Sequence, residues 1–335
     1  MNIDSIGIIG AGAWGTALAQ AVAGTGHHTV LWAHEADVAE SINKSRENPL
    51  YLPEVALNPA IRATAVIEEA ADSDAVLLVT PAQFLRSVAQ NLAPALPPGA
   101  PVVICAKGIE QESGALMTEI AAHVLSGHPI AVLSGPTFAA EVARGLPTAV
   151  TLAAREKPVG EALVTAIGTQ TFRPYLNDDV LGAEIGGAVK NVLAIACGIA
   201  EGKRFGDNAR AALITRGLAE MTRLCVAKGG RAETMMGLSG LGDLTLTCTS
   251  TQSRNYSLGV ALGEGRTLDD IMAERRSVAE GVFSAAAVAM LASKLKIDMP
   301  ISDGIDAIVN RGAEVEDIIK SLLARPFRVE RESRR

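Results

Sequence analysis

Short, uninterrupted runs of apolar residues recur through the first half of the chain and alternate with stretches of helical character. The runs occupy residues 5–10, 29–32, 74–79, 101–106, 130–133 and 149–152. Strands that are apolar on both faces are typical of parallel sheets that helices cover on both sides. Alternation of such strands with helices implies βαβ units with right-handed crossovers. The pattern therefore predicts an α/β fold with a mostly parallel sheet in the N-terminal half.

The second half of the chain has a different pattern. After residue 178 the strand-like runs end, and helical segments rich in Ala, Leu and Ile take their place. These segments lie at 179–201, 208–228, 255–263, 280–295, 300–310 and 314–323. A chain of 335 residues is also too long for one ordinary domain. We therefore predict an α/β domain at 1–177, an all-helical C-terminal domain at 178–325 and a charged tail at 326–335.

Charge and composition narrow the class of protein. The formal net charge of −7 does not favour nucleic acid or an anionic membrane surface as a partner, so an anionic substrate would need a local cluster of Lys or Arg. The sequence contains no run of eighteen apolar residues and no signal-peptide pattern, so we predict a cytoplasmic protein without an integral membrane segment. The four cysteines are scattered, which predicts buried free thiols and no metal site.

The sequence Gly10-Ala-Gly12-Ala-Trp-Gly15 matches the pattern G-x-G-x-x-G. Alone that pattern is weak, but here it follows an apolar run and opens a helical segment, as in Rossmann-type dinucleotide-binding domains. Gly10 would allow the tight turn, Gly12 the approach of a pyrophosphate and Gly15 the close packing of helix on strand. The amides of Ala13 and Trp14 would face phosphate oxygens. The alternative is a glycine-rich turn that binds no ligand.

The residues after the second predicted strand bear on the choice between NAD and NADP. His34 is followed directly by Glu35. An acidic residue at this point hydrogen-bonds the adenine ribose 2′-OH, whereas a cation accommodates a 2′-phosphate. We predict that NADP is tolerated or preferred through His34. The alternative is that His34 is a solvent-facing loop residue.

Three loops leave the predicted sheet where ligands bind in open parallel sheets, outside the carboxyl ends of the strands. The first, residues 80–83, is a rigid turn suited to lining a cofactor. The second carries Lys107 directly after a buried strand, which favours a place in the crevice over the alternative of a surface lysine. The third, residues 134–139, has Gly-Pro before a helix, whose N–H groups can bind an anion or the nicotinamide amide.

Lys190 lies in a segment that is apolar nearly all round and is therefore expected to be buried. A buried lysine is costly unless it is paired or functional, and burial lowers its pKa toward the range useful for proton transfer. Asp243, isolated in another apolar segment, is the natural partner of Lys190. Arg254 offers a planar fork for a phosphate, with Ser253 and Asn255 beside it. The alternatives are a lysine at a helix edge, a turn or cap aspartate and a surface arginine.

Seven motifs together resemble the bacterial NAD(P)-dependent glycerol-3-phosphate dehydrogenases. They are GAGAWGTALA, VLWAHE, SGPTFAAEVARGLPTA, GGAVKNVLAIACGIAEG, NARAALITRGLAEM, GLSGLGDLTLTCTSTQSRN and VAEG. The resemblance extends over residues 6–323, and the combination of GGAVKN with GLGDLTLTCT and SRN is its most specific part.

The resemblance implies roles for individual residues. Lys190 would be the proton acceptor, and Lys107 and Asp243 the other catalytic residues. The substrate site would comprise Lys107, Gly135, Thr137, Lys190, Asp243, Ser253, Arg254 and Asn255. The cofactor NAD(P) would contact Gly10, Gly12, Ala13, Trp14, Gly15, His34, Lys107, Ala139, Arg254, Val278 and Glu280.

The reaction of this family interconverts sn-glycerol 3-phosphate and dihydroxyacetone phosphate and supplies glycerol 3-phosphate for phospholipid synthesis. The resemblance thus implies an oxidoreductase with a small phosphate substrate, and we expect a homodimer. Two alternatives stay open: another two-domain dehydrogenase of the hydroxyacid or 6-phosphogluconate type, and a non-catalytic protein that senses NAD(P)H. The run from GLGDLTLTCT to SRN disfavours the first, and the joint presence of Lys190, Asp243 and Arg254 disfavours the second.

Overall fold

A computed structural model describes residues 1–274 and 279–326, and within these ranges eight strands form one sheet. The strands are β1 (Ser5–Ile9), β2 (His28–Trp32), β3 (Ile61–Thr64), β4 (Ala75–Leu78), β5 (Val102–Ile104), β6 (Ile130–Ser134), β7 (Thr148–Ala154) and β8 (Phe172–Asn177). Their order across the sheet is β3-β2-β1-β4-β5-β6-β7-β8. Of the described strand pairs only β6–β7 is antiparallel, so β7 and β8 run opposite to the other six strands. The mostly parallel sheet that we predicted is confirmed.

Helices cover both faces of this sheet. They are α1 (Ala13–Ala23), α2 (Ala36–Ser45), α3 (Ile67–Ala71), α4 (Leu85–Leu92), α5 (Met117–Val124), α6 (Ala139–Ala143) and α7 (Lys157–Ile167). Each central strand contributes to two apolar clusters: Ile8 packs in one with Leu18 of α1, and Ile9 in the other with Leu85 of α4. The two-sided burial explains why these strands read as continuous apolar runs.

The two strands at the edges of the sheet, β3 and β8, were not predicted. β3 has the sequence IRAT and β8 the sequence FRPYLN, and both include exposed side chains. Tyr175 and Leu176 of β8 are among the exposed large apolar residues. An edge strand that is partly solvated lacks the apolar run that identifies a central strand, so the sequence pattern missed both.

The later part of the chain is helical in all its described elements. The α-helices are α8 (Val180–Gly202), α9 (Gly206–Ala227), α10 (Asp243–Thr249), α11 (Arg254–Gly263), α12 (Leu268–Glu274), α13 (Glu280–Leu295), α14 (Pro300–Arg311) and α15 (Val315–Leu323). A short 3₁₀-helix (Ala232–Met236) and a π-helix (Leu238–Gly242) precede α10. The all-helical prediction is confirmed, although α10 and α12 are too short for their periodicity to have been recognised. Of the predicted tail at 326–335, all but Pro326 lies outside the described residues.

Helix α8 is the central helix of the second half. By length and hydropathy it could cross a membrane, but 94% of its most apolar window is buried inside the fold. Asp179 caps its N-terminus, where Oδ1 accepts a hydrogen bond from the amide of Gly182 at 3.0 Å. Burial on all sides is the property of a core helix in a folded domain, and it explains the apolar sequence of α8.

The two halves exchange side chains across their border. Ile109 and Leu116, from the segment after β5, are buried in the apolar cluster of the helical half. Val180 and Ala183 of α8 are buried in one of the clusters that cover the sheet. Glu184 of α8 accepts a hydrogen bond from the amide of Thr118 at the start of α5. The site described next therefore lies at a continuous packed border.

Candidate active site

The glycine-rich turn connects β1 to α1 with little space between them. Gly10 has φ +121°, a conformation that favours glycine, and its N–H donates to Trp32 O at 3.1 Å. A Cβ on Gly15 would lie 1.8 Å from Gly10 O, so a side chain there would force the helix away from the turn. These two glycines allow α1 to begin directly above the carboxyl end of β1.

Open space and buried polar atoms without described partners lie at this turn. A Cβ built on Gly12 meets no described atom within 4 Å, so the backbone faces open space. Among the residues that the structure describes, Trp14 Nε1 and Thr80 Oγ1 are buried without a hydrogen-bond partner. Buried polar atoms without a partner are unusual in folded proteins and are often explained by a bound group. Gly12 is also the N-terminal cap residue of α1, so the amides of Ala13 and Trp14 begin the helix at this opening.

At the end of β2, His34 is exposed and its ring lies edge-on to Trp32, with 6.0 Å between ring centroids. The neighbouring Glu35 accepts a hydrogen bond from Tyr51 Oη at 2.9 Å. His34 and Glu35, which indicated NADP and NAD respectively in the sequence, therefore have different surroundings. His34 faces solvent, whereas Glu35 is held by a phenol.

Lys190 is buried in the middle of α8, with 8% of its side chain exposed. Its Nζ forms an ion pair with Asp243 Oδ1 and donates to Thr247 Oγ1 at 2.9 Å. Burial lowers the pKa of Lys190 to about 8; the positive charge of Lys107 adds to this effect, and the charge of Asp243 opposes it. The ion pair that we predicted between Lys190 and Asp243 is present, and the lysine can gain or lose a proton close to neutral pH.

Lys107 approaches the same carboxylate from the sheet. Its Nζ donates to Asp243 Oδ2 at 2.8 Å and to the carbonyl oxygen of Gly135 at 3.0 Å. Asp243 is fully buried and Lys107 is 15% exposed, so two ammonium groups share one desolvated carboxylate. The sequence suggested Asp243 as a partner for Lys190 but gave no sign that Lys107 would share it.

The pair Gly186-Gly187 in α8 allows this close assembly. A Cβ on Gly186 would lie 2.2 Å from Ser239 O in the π-helix that leads into Asp243. A Cβ on Gly187 would lie 2.8 Å from Ser134 Oγ and 3.3 Å from Lys107 Cγ. The two glycines thus admit the π-helix on one side of α8 and the sheet edge on the other, which brings Asp243 and Lys107 to Lys190.

The loop after β6 borders the same space. Gly135 has φ +147°, and its carbonyl accepts hydrogen bonds from Lys107 and, at 3.3 Å, from Thr137 Oγ1. Thr137 and Ala139 are partly buried, and Ala139 is the first residue of α6. Gly135 therefore contacts Lys107 directly, and Thr137 and Ala139 follow it within four residues of the chain.

Ser253 and Asn255 have structural partners in addition to any ligand. Ser253 Oγ caps α11 by accepting a hydrogen bond from the amide of Tyr256 at 3.2 Å. Asn255 Oδ1 accepts one from the amide of Gly281 at 2.9 Å, near the start of α13. Both side chains therefore have a structural role: Ser253 caps α11, and Asn255 connects the start of α11 to the start of α13.

Arg254, between these two residues, is exposed at the first position of α11. Glu280 begins α13 and faces the positive charges of Arg254, Lys107 and Lys190. Burial raises the pKa of Glu280, and the three cations oppose that rise. Arg254 and Glu280 therefore extend the charged cluster, while Val278 lies outside the described residues.

Thr247 is the residue of the cluster that the sequence reasoning missed. Its Oγ1 donates to Asp243 O at 2.6 Å and lies 2.9 Å from Lys190 Nζ. The available signal was the spacing of four from Asp243, which places both residues on one face of a helix. Because α10 was not recognised as a helix, the spacing did not identify Thr247 as a site residue.

Comparisons with known proteins agree with this geometry. The family model for the NAD-dependent glycerol-3-phosphate dehydrogenase N-terminus matches residues 5–159, and the model for the C-terminus matches residues 179–320. The glycerol-3-phosphate dehydrogenase [NAD(P)+] of Parvibaculum lavamentivorans is 59% identical over 97% of this chain and 98% of its own length. That of Rhodospirillum rubrum is 60% identical over 98% of this chain and 94% of its own length.

A solved structure supports the same assignment. The crystal structure of glycerol-3-phosphate dehydrogenase from Coxiella burnetii has a TM-score of 0.92 and 38% identity, covering 96% of this chain and 99% of its own. Both family models, the sequence relatives and the solved structure agree over nearly the whole chain. The chain belongs to the NAD-dependent glycerol-3-phosphate dehydrogenase family.

Proposed function

We propose that this chain interconverts sn-glycerol 3-phosphate and dihydroxyacetone phosphate with NAD(P)+ and NAD(P)H, and thereby supplies glycerol 3-phosphate for phospholipid synthesis. The observation that carries the proposal is the buried cluster of Lys190, Asp243 and Lys107, which lies at the same carboxyl edge of the parallel strands as the glycine-rich turn. The cluster contains a lysine that can gain or lose a proton. It also provides positive charge that attracts an anionic substrate. The relatives from Parvibaculum lavamentivorans and Rhodospirillum rubrum are named for the same activity and cofactor.

Lys190 is proposed as the general acid/base. When bound, the nicotinamide supplies the hydride chemistry at C2 of the substrate. Lys190 takes the proton of the C2 hydroxyl in oxidation and returns it in reduction, a task suited to a pKa of about 8. Asp243 holds the ammonium in place, and Thr247 provides a second, neutral contact. Lys107 adds positive charge beside the C2 oxygen.

Arg254 is proposed as the phosphate anchor because a guanidinium matches the geometry of a phosphate with two parallel hydrogen bonds. Ser253 and Asn255 can also contact the phosphate, although both already accept hydrogen bonds from backbone amides. A hydroxyl that accepts a hydrogen bond still has a proton to donate, and an Asn that accepts through Oδ1 still has its Nδ2 donors. Gly135 and Thr137 complete the substrate site in this proposal.

The cofactor is proposed to lie along the opening at Gly12, with Ala13 and Trp14 facing its phosphates and His34 near the adenine ribose. Ala139, Val278 and Glu280 would contact the rest of the cofactor. We further propose that NADP is accepted through the exposed His34, that the protein acts in the cytoplasm and that it forms a homodimer. We also propose a domain boundary between residues 177 and 178, because β8 ends at Asn177 and the described elements after it are helical.

The decisive test is initial-rate kinetics with dihydroxyacetone phosphate, comparing NADH with NADPH and including a hydroxyacid-type substrate and 6-phosphogluconate. We expect turnover of dihydroxyacetone phosphate with either cofactor. Turnover of only the other substrates would indicate a different two-domain dehydrogenase. Tight binding of NADPH without any turnover would indicate a sensing protein.

A further inference from the structure

Glu35 occupies the position after β2 where an acidic residue can meet the adenine ribose. It precedes α2 with extended backbone angles, φ −89° and ψ 121°, but its side chain forms no capping hydrogen bond to that helix. Instead its Oε1 accepts a hydrogen bond from Tyr51 Oη at 2.9 Å. The carboxylate is therefore directed to a partner sixteen residues further along the chain.

Tyr51 is fixed relative to the glycine-rich turn by the buried Asn48. Asn48 Nδ2 donates to Ala11 O at 2.9 Å and to Thr16 Oγ1 at 2.8 Å, and its Oδ1 accepts from the amide of Tyr51 at 3.2 Å. Asn48 has no exposed surface, so these hydrogen bonds are shielded from water. We call residues 46–52 the strap. The strap connects the turn that would bind pyrophosphate with the carboxylate that would meet the ribose.

The charges around Tyr51 keep its phenol a donor. Partial burial raises the pKa of Tyr51, and the negative charges of Glu35 and Asp37 raise it further. The phenol therefore remains protonated at neutral pH and donates to Glu35. The exposed imidazole of His34 lies on the chain directly before Glu35. A 2′-phosphate arriving here would meet two carboxylates, one phenol and one imidazole.

We propose that Tyr51 is a specificity-determining residue, which restrains Glu35 so that the site accepts cofactors with a 2′-phosphate as well as those without one. This inference rests on the proposed function in one respect: it assumes that the protein binds NAD(P). A carboxylate that turned freely toward the ribose would accept a hydrogen bond from a 2′-OH and repel a 2′-phosphate. The phenol of Tyr51 holds one oxygen of the Glu35 carboxylate against the strap. It thereby limits both the hydrogen bond to a 2′-OH and the repulsion of a 2′-phosphate.

The direction of the effect follows from this geometry. In Tyr51→Phe the carboxylate is released, so binding of NADPH should weaken and binding of NADH should change little or strengthen. A hydrogen bond between exposed groups, at the typical net worth of a protein hydrogen bond, changes an equilibrium by roughly three- to tenfold. We therefore expect the ratio of dissociation constants, NADPH over NADH, to rise by about that factor. In Glu35→Gln the repulsion is removed, and the same ratio should fall.

The test is a fluorescence titration of each variant with NADH and with NADPH, which measures dissociation constants without turnover. The variants are Tyr51→Phe, Glu35→Gln and the double variant, with Tyr175→Phe on the exposed face of β8 as a matched control. Tyr51→Phe should raise the ratio in the presence of Glu35 and leave it unchanged in the Glu35→Gln background. Tyr175→Phe should leave both constants unchanged.

Two results would overturn the proposal. One is an equal change of both dissociation constants in Tyr51→Phe, which a purely structural strap would give. The other is the same effect of Tyr51→Phe with and without the carboxylate of Glu35. Turnover of dihydroxyacetone phosphate by the unmodified protein is measured separately, so failure of the proposed reaction is distinguishable from failure of this inference.

Discussion

Replacing Asp243 with asparagine tests whether one carboxylate sets the protonation of Lys190. The substitution retains the size of the side chain but removes the negative charge that Lys190 and Lys107 share. In the unmodified protein that charge opposes the fall in the pKa of Lys190 caused by burial and by Lys107. Without it, two ammonium groups face each other at a buried position, so the pKa of Lys190 should fall below about 8.

The size of the effect can be worked out from the geometry. Two unit charges about 4 Å apart interact by about 4 kcal/mol at an effective dielectric constant of about 20, which corresponds to about 3 pKa units. Because Lys107 shares the carboxylate and water can enter the variant site, we expect a shift of about two units. Reduction requires protonated Lys190, so at pH 7 its rate should be roughly tenfold below its value on the acid side.

The assay is the initial rate of dihydroxyacetone phosphate reduction at saturating cofactor from about pH 5 to pH 9. In the unmodified protein the rate should fall as pH rises through about 8, because Lys190 loses its proton there. In Asp243→Asn the same fall should begin about two units lower. Asp306→Asn is the control, since Asp306 is also buried and paired, with Arg311 at 3.1 Å. An unchanged pH profile in Asp243→Asn would refute the electrostatic argument.

Three further substitutions test separate parts of the proposal. Lys190→Ala should lower kcat by roughly 10²–10⁴ in both directions because the proton acceptor is lost, and a near-normal kcat from initial rates would contradict its role. Arg254→Ala should raise the KM for dihydroxyacetone phosphate by roughly tenfold or more with a smaller change in kcat, and an unchanged KM would count against a phosphate anchor. Gly15→Ala places a Cβ 1.8 Å from Gly10 O, so a thermal melt should show a loss of about 1–3 kcal/mol in the free energy of unfolding, and an unaltered Tm would show that the turn can relax.

Much of the fold follows from local patterns in the sequence. The central strands are buried on both faces, so their apolar runs are unmistakable, and β1, β4 and β5 were placed within a residue or two of their observed ends. The antiparallel direction of β7 was not predicted, because an apolar strand looks the same in either direction. The edge strands β3 and β8 lack two-sided burial and left no comparable pattern.

In the candidate site, too, local sequence reveals some features, whereas others depend on contacts that form only in the fold. Lys190 was recognised because a charge within an apolar helix is costly, a property that local sequence reveals. The sharing of Asp243 between Lys190 and Lys107 depends on three segments that meet only in the fold. The hydrogen bond from Tyr51 to Glu35 depends in turn on the path of the strap, which apolar periodicity does not describe.

The exchange of side chains between the two halves has a consequence for how the protein unfolds. Ile109 and Leu116 belong to the segment that follows β5 of the sheet, yet their side chains are buried in the apolar core of the helical half. Conversely, Val180 and Ala183 of helix α8 are buried in an apolar cluster that covers the sheet. Neither half can melt without exposing apolar surface that belongs to the other, so the cooperativity of unfolding extends across their border. The charged cluster should thus retain its arrangement until the molecule loses its structure as a whole.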